Sequence, residues 1–174
     1  MFTNYFIKKK VQALAAQTAN RSHHSISLNE ARSLLVLYND EDRNEVNIAL
    51  DPLREQMDIH TCVYIPSKTS DAIPDDKTVP VYSKDSLNAW GFPSETLLDK
   101  TSAINADILI DITRPGCFAL QYIALKHPCT FKVGIKYQGQ EWYDLALAIT
   151  DNNDIQFLFE QIVYYLRSIS VSSK

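Results

Sequence analysis

The sequence predicts an α/β protein: a single three-layer α/β/α domain with a mixed, mostly parallel sheet of five or six strands and an N-terminal helical arm. Three observations carry that prediction. Short, largely apolar runs recur at 33–38, 59–65, 107–112 and 131–135, the first of them continuous, as expected of a strand buried on both faces. Segments with apolar residues at helical spacing alternate with them, which is the βα order of layered sheets. The stretch from Asn105 to Thr150 compresses this pattern into strand, Pro-Gly turn, helix and two more strand-like runs, and it contains no complete catalytic signature.

The elements follow in chain order. Tyr5, Phe6, Val11, Leu14 and Ala15 with the basic run Lys8-Lys9-Lys10 predict an amphipathic N-terminal helix suited to docking. Asn20 to Asn29 is polar, carries His23 and His24 and has no apolar period. Residues 1–29 therefore read as arm and linker, and 30–174 as the α/β domain. Ser33 to Tyr38 is the first core strand, closed by Asn39-Asp40-Glu41-Asp42. Val46, Ala49, Leu50, Leu53 and Met57 lie at helical spacing, with Pro52 kinking that helix or restarting it at Asp51. Ile59 to Ile65 is the second strand. Val79-Pro80-Val81-Tyr82 contains a proline, so it belongs at a sheet edge, where a missing donor is tolerated.

Ser94 is positioned to cap a helix carrying Leu97, Leu98 and Ile104. Asp107 to Ile112 is the next strand, Phe118 to Leu125 a short helix stopped by Pro128, and Phe131 to Ile135 a further strand. Only Lys136 to Glu141 separates that strand from Trp142 to Ile149. Parallel neighbours need a crossover of about a dozen residues, so these two are expected to pair antiparallel. Ile155 to Ile169 closes the chain as a helix capped from Asp151 to Asp154.

Composition excludes several functional classes. A length of 174 residues with 45% hydrophobic content suits one compact domain. A net charge of −4 supplies no positive field for phosphate backbones, so nucleic acid is not an expected partner. The lysines follow rather than precede the first apolar residues, unlike a secretory signal, and no window approaches the ~20 apolar residues of a transmembrane segment. Cys62, Cys117 and Cys129 are odd in number and far apart, which fits a reducing, cytoplasmic setting better than a disulfide framework.

Ligands of open α/β sheets gather beyond the carboxyl ends of the strands. Two loops there carry candidate ligand-binding residues. Asp40 and Asp42 have the chemistry to hold Mg²⁺ or act as acid and base, or else to cap the following helix. In Thr113-Arg114-Pro115-Gly116-Cys117, Arg114 suits an anion clamp, Thr113 lies beside it, and Cys117 at a helix start is placed for a lowered thiol pKa, or is simply a packing residue. Asp111 and Asp144 fall inside strand patterns, where a carboxylate either faces a cleft or is satisfied at an edge. His127-Pro128-Cys129 and His23-His24 lack paired metal-ligand spacing. No P-loop, no G-x-G-x-x-G and no G-x-S-x-G is present. Neither a metal nor a cofactor is expected.

The run Tyr82-Ser83-Lys84-Asp85 leads to Asn88-Ala89-Trp90-Gly91-Phe92-Pro93, then to Ala106-Asp107-Ile108-Leu109-Ile110-Asp111. Gln121 to Leu125, Phe131 to Gly134 and Tyr143-Asp144-Leu145 follow. This order resembles an uncharacterised bacterial family of small α/β proteins, a domain of unknown function, over the last two thirds of the chain. The resemblance implies the fold and transfers no catalytic residue. The expected function is binding of a ligand or a protein partner without a known catalytic motif. Its alternative is an enzyme acting on a phosphorylated or other anionic small molecule. A homo-oligomer through the N-terminal arm is the further partner expectation, and the binding reading requires an exposed apolar patch near Trp90, Phe92 or that arm.

Overall fold

The computed structural model describes residues 3–18, 24–66, 75–136, 142–148 and 154–169. Six strands form one sheet: β1 (Ser33–Asn39), β2 (Asp58–Ile65), β3 (Thr78–Tyr82), β4 (Ile108–Asp111), β5 (Lys132–Lys136) and β6 (Leu145–Ala148). Their order is β3-β2-β1-β4-β5-β6, and every pair is parallel. Among the described residues five helices accompany them: α1 (Thr3–Thr18), α2 (Arg43–Arg54), α3 (Glu95–Ser102), α4 (Phe118–Lys126) and α5 (Ile155–Ser168). A 3₁₀ turn, Asp40–Asp42, joins β1 to α2.

The alternation of side chains along a strand sets the layers. Leu34, Val36 and Tyr38 of β1 face α2 and α5, where they meet Val46, Leu50, Phe159 and Ile162. Leu35 and Leu37 face the other way, toward Leu97 of α3 and Leu120, Ile123 and Ala124 of α4. Each fully buried aliphatic or aromatic side chain contributes about 1.5–3 kcal/mol of hydrophobic stabilisation. Both faces of the central strands are filled, which is why they are apolar without interruption.

Helix α1 adds an outer layer against α4. Its buried stripe is Ile7, Val11 and Ala15, spaced i, i+4, i+8, and it packs on Tyr122, Leu125 and Trp142. The expected apolar face is therefore rotated: Val11 and Ala15 go inward, whereas Tyr5 and Phe6 remain half exposed. Helix α2 runs through Pro52 and ends at Arg54, short of Met57, because the proline falls in its last turn. Strand β3 occupies the sheet edge, as its proline requires. Ser94 Oγ accepts from Leu97 N and Asp154 caps α5 by accepting from Gln156 N.

The antiparallel pairing expected of the last two strands does not form. β6 is parallel to β5, with Val133 opposite Leu145, so the sheet is parallel rather than mixed. The described residues that lead into β6 lie on the α4 side of the sheet. Trp142 is buried between α1 and α4, and the ring of Tyr143 covers β5 at Gly134. A Cβ on Gly134 would lie 2.3 Å from Tyr143 Cδ2, so only glycine admits that ring. Asp144 then fixes the register: its N–H donates to Lys132 O (2.8 Å), and its Oδ2 accepts from Lys132 N (2.7 Å). Trp142 to Asp144 are thus a crossover that reads like a strand.

Candidate functional site

Strand order reverses between β1 and β4, since the chain leaves β1 toward β2 on one side and later resumes with β4 on the other. A parallel sheet opens a crevice beyond its carboxyl ends at such a point. Here that crevice is a cleft of about 340 Å³. Asn39 and Glu41 line it from the end of β1, Tyr64 from β2, and Arg114, Cys117 and Phe118 from the loop after β4. Asn4 and Ile7 of α1 and Leu87 and Gly91 of the 83–94 loop complete its rim.

Asn39 ties the two strand ends together, its Oδ1 accepting from Arg114 N (2.9 Å). Arg114 then reaches across the switch point. Its Nε donates to Asp42 Oδ2 (3.0 Å) and its Nη2 to Asp42 Oδ1 (2.5 Å), while Nε also lies 2.9 Å from Glu41 Oε1. Asp42 is buried, so its charge depends on this two-point guanidinium contact. Asp40 accepts instead from Arg43 Nε (2.7 Å). Neither carboxylate caps α2, whose start has no side-chain cap, so the capping reading of Asp40 and Asp42 fails. Two arginines, one of them distant in sequence, outbid the backbone amides because each offers full charge.

Asp111 lies 2% exposed at the end of β4. Its Oδ1 accepts from Thr113 N (2.9 Å), and its Oδ2 accepts from Tyr143 OH. Burial raises its pKa above the ordinary carboxylate value, and the bonds from Thr113 and Tyr143 offset only part of that rise. Thr113 is buried beside it. Gly116 has φ +89°, the left-handed conformation that lets the loop double back before α4 without strain.

Cys117 precedes α4, but its thiol is pushed up to about 12, chiefly by burial and further by the charge of Asp111. Bonds from Leu120 N–H and the Asn39 side chain do not compensate. The depressed pKa that a helix start would give is therefore absent, and the thiol is protonated at neutral pH. Asp42, Arg114 and Cys117 thus meet around one loop, Asp111 and Thr113 support it from beneath, and Asp40 is held by its own arginine.

Sequence reasoning passed over Tyr143 and Tyr64. For Tyr143 a signal was present: a glycine inside a buried strand marks a close approach, and the nearby aromatic supplies it. Tyr64 carries no such mark, because only the strand order brings β2 to the cleft.

A larger cavity, about 610 Å³, lies at the opposite end of the sheet between Ile104, Asp107, His127 and Thr130. Two of its lining side chains, Asp107 and His127, are engaged by the fold. Asp107 Oδ2 accepts from Arg32 N, Ser33 N and Ser33 Oγ. His127 Nε2 lies 3.1 Å from Ile104 O, and its Nδ1 accepts from Cys129 N (3.0 Å), which makes Nε2 the protonated nitrogen. Burial also lowers the His127 pKa. The His127-Pro128-Cys129 pair is therefore structural; His24 lines the same cavity, and His23 lies outside the described residues. Among the described residues no three metal-ligating side chains converge, and no helix is long and apolar enough to cross a membrane.

The model of a family of unknown function, DUF6913, matches residues 4–169. No curated protein matches the chain. Among solved structures it is similar to the terminal R domain from the myxalamid PKS-NRPS biosynthetic pathway, with 12% identity and a TM-score of 0.38. That alignment covers 90% of this chain and 52% of the other, so the chain spans about half that protein's length.

Proposed function

Since the chain belongs to DUF6913, a family of unknown function from which no activity can be carried over, we propose from its own geometry that it is a Rossmann-like binding domain. Its switch-point cleft receives a small polar ligand that is neutral or cationic. The observation that carries this reading is the pairing of Arg114 with both Asp42 and Glu41 at the point where the strand order reverses. One guanidinium against two carboxylates leaves the cleft mouth with an excess of negative charge. The turn after β1 offers Asp40, Glu41 and Asp42 where a nucleotide-binding turn would offer glycine amides. A phosphorylated ligand would have to pull Arg114 from a buried carboxylate.

Asn39, Tyr64 and Glu41 supply donors and acceptors for a hydroxyl, amide or amine, and Phe118, Leu87 and Ile7 supply apolar walls. The enzyme of anionic substrates is the weaker reading, since its clamp is engaged and its thiol is protonated.

A thermal-shift panel separates the two. Nucleosides, polyols and amines are expected to raise the midpoint, and the rise should shrink in Tyr64→Phe and Glu41→Gln. If only sugar phosphates and nucleotides stabilise the protein, the neutral-ligand reading is wrong. Stabilisation by neither class points to a macromolecular partner instead.

A further inference from the structure

Helix α1 and the turn at Asn88–Phe92, which also contribute to the rim of the cleft, border an apolar groove of about 470 Å³ lined by Phe6, Ala13, Trp90 and Phe92, with Lys9 and Lys10 as its charged residues. Phe6 and Trp90 are 50% and 51% exposed, unlike aromatic residues that have found a place in the core. Their rings meet edge to face at 4.9 Å, and Tyr5 continues the row against Phe6 at 5.6 Å. The fold holds this surface in place. Ile7, Val11 and Ala15 anchor α1 to α4 from behind. Asn88 Oδ1 accepts from both Trp90 N (2.9 Å) and Phe92 N (3.1 Å). Gly91 at φ +81° then allows the chain to turn between the two rings. Phe92 is braced by Tyr122, 5.5 Å away and edge to face.

We propose that this groove is the docking site of an acidic peptide segment from a partner protein, one that lays an apolar side chain against the Phe6–Trp90 pair and sets its carboxylates on Lys9 and Lys10. Charge decides the occupant. Helix α1 carries three lysines and no carboxylate, whereas the whole chain is −4, and two of the three, Lys9 and Lys10, line this groove. Lysine stems lying along an apolar groove, with their heads at its margin, select a ligand that is apolar in the centre and anionic at the flanks. The same chemistry could face an anionic bilayer, but the packing of the rings favours a peptide. They are engaged with one another between two elements rather than projecting singly, as side chains that enter lipid do. A central tryptophan with a charged rim is the anatomy of an interface anchor. This site does not depend on the cleft's ligand.

The test is selection of a phage-displayed random dodecapeptide library on the full chain, with counter-selection on the Phe6→Ala/Trp90→Ala variant. Both residues are half exposed, so the variant should keep its circular dichroism and melting midpoint. The expected peptides carry an aromatic or aliphatic residue flanked by Asp or Glu. Their affinity should fall at least ten-fold on that variant, and about ten-fold on Lys9→Glu/Lys10→Glu, which serves alone if the aromatic pair proves structural. Binding should also weaken with salt and shift the emission of Trp90. Peptides of basic or unbiased composition, equal recovery on the aromatic variant, or an empty selection would overturn the proposal. So would sedimentation with phosphatidylserine vesicles that depends on Phe6 and Trp90 more strongly than any peptide does.

Discussion

The two ends of the sheet differ in size and in topology. At the amino end the cavity is the larger, about 610 Å³ against about 340 Å³, yet Asp107 and His127 are occupied in tying β1, β4 and the α4–β5 connection together. At the carboxyl end the cleft is smaller, but Asn39, Glu41, Tyr64 and Arg114 border it with partly exposed side chains. Volume therefore marks a poor site here. What distinguishes a site here is its place, where the strand order reverses and the sheet opens.

Substitutions sharpen that contrast, beginning with the largest effect. Gly134→Ala drives a methyl into the Tyr143 ring, and it should cost about 3 kcal/mol by urea denaturation, at the upper end for overpacking, while disrupting the Asp111–Tyr143 bond. A loss below about 1 kcal/mol would mean that the β5–β6 crossover can rearrange. Arg114→Ala leaves the buried Asp42 carboxylate without its partner and should cost about 2–3 kcal/mol, the half-exposed guanidinium keeping it below the range for fully buried pairs. Arg114→Ala/Asp42→Asn should recover most of that loss. Were the double variant no better than the single one, the pair would not be the cause.

The two ends should also titrate in opposite senses. Asp111 has a raised pKa in the folded state, so the folded protein binds its proton more tightly, and stability falls as pH rises from about 3.8 through the folded value. Asp111→Asn should remove that decline. His127 has a lowered pKa when folded, so the unfolded chain binds more protons, and stability falls as pH drops below about 6.5 toward the folded value. His127→Gln should flatten that acid limb and leave the Asp111 limb in place. Urea midpoints from pH 4 to 8 separate the two; a single shared slope would contradict the assignment. The smallest effect concerns Tyr143→Phe, which removes one donor from Asp111 and should cost about 1 kcal/mol.

Much of this fold was legible because burial on two sides leaves a plain mark. Leu34 to Leu37 and Ile108 to Ile110 are uniformly apolar for that reason, and Pro80 placed β3 at the edge. The β5–β6 relation was not legible: a short connection ordinarily signals a hairpin, and only the docking of Trp142 and the seating of the Tyr143 ring on Gly134 reveal a crossover. At the cleft, the two loops were found from strand-end logic, but the partners were not. Arg114 and Asp42 are 72 residues apart in sequence, and nothing local says that they meet rather than serving as clamp and cap. The thiol of Cys117 likewise reads as activated from its place before a helix, whereas its burial, a property of the packed fold, reverses the shift. The exposed face of α1 depended on helix rotation, which the competing apolar residues Tyr5, Phe6 and Ile7 left undecided.

The most direct measurement is amide chemical-shift mapping on isotope-labelled protein, titrated with small neutral, cationic and phosphorylated fragments. Shifts from the neutral or cationic fragments at Asn39, Glu41, Tyr64 and Arg114 to Phe118, with the amino end unmoved, are the predicted result. Shifts centred on Ile104 to Asp107 and His127 to Thr130, or at the cleft with phosphorylated fragments alone, would contradict it.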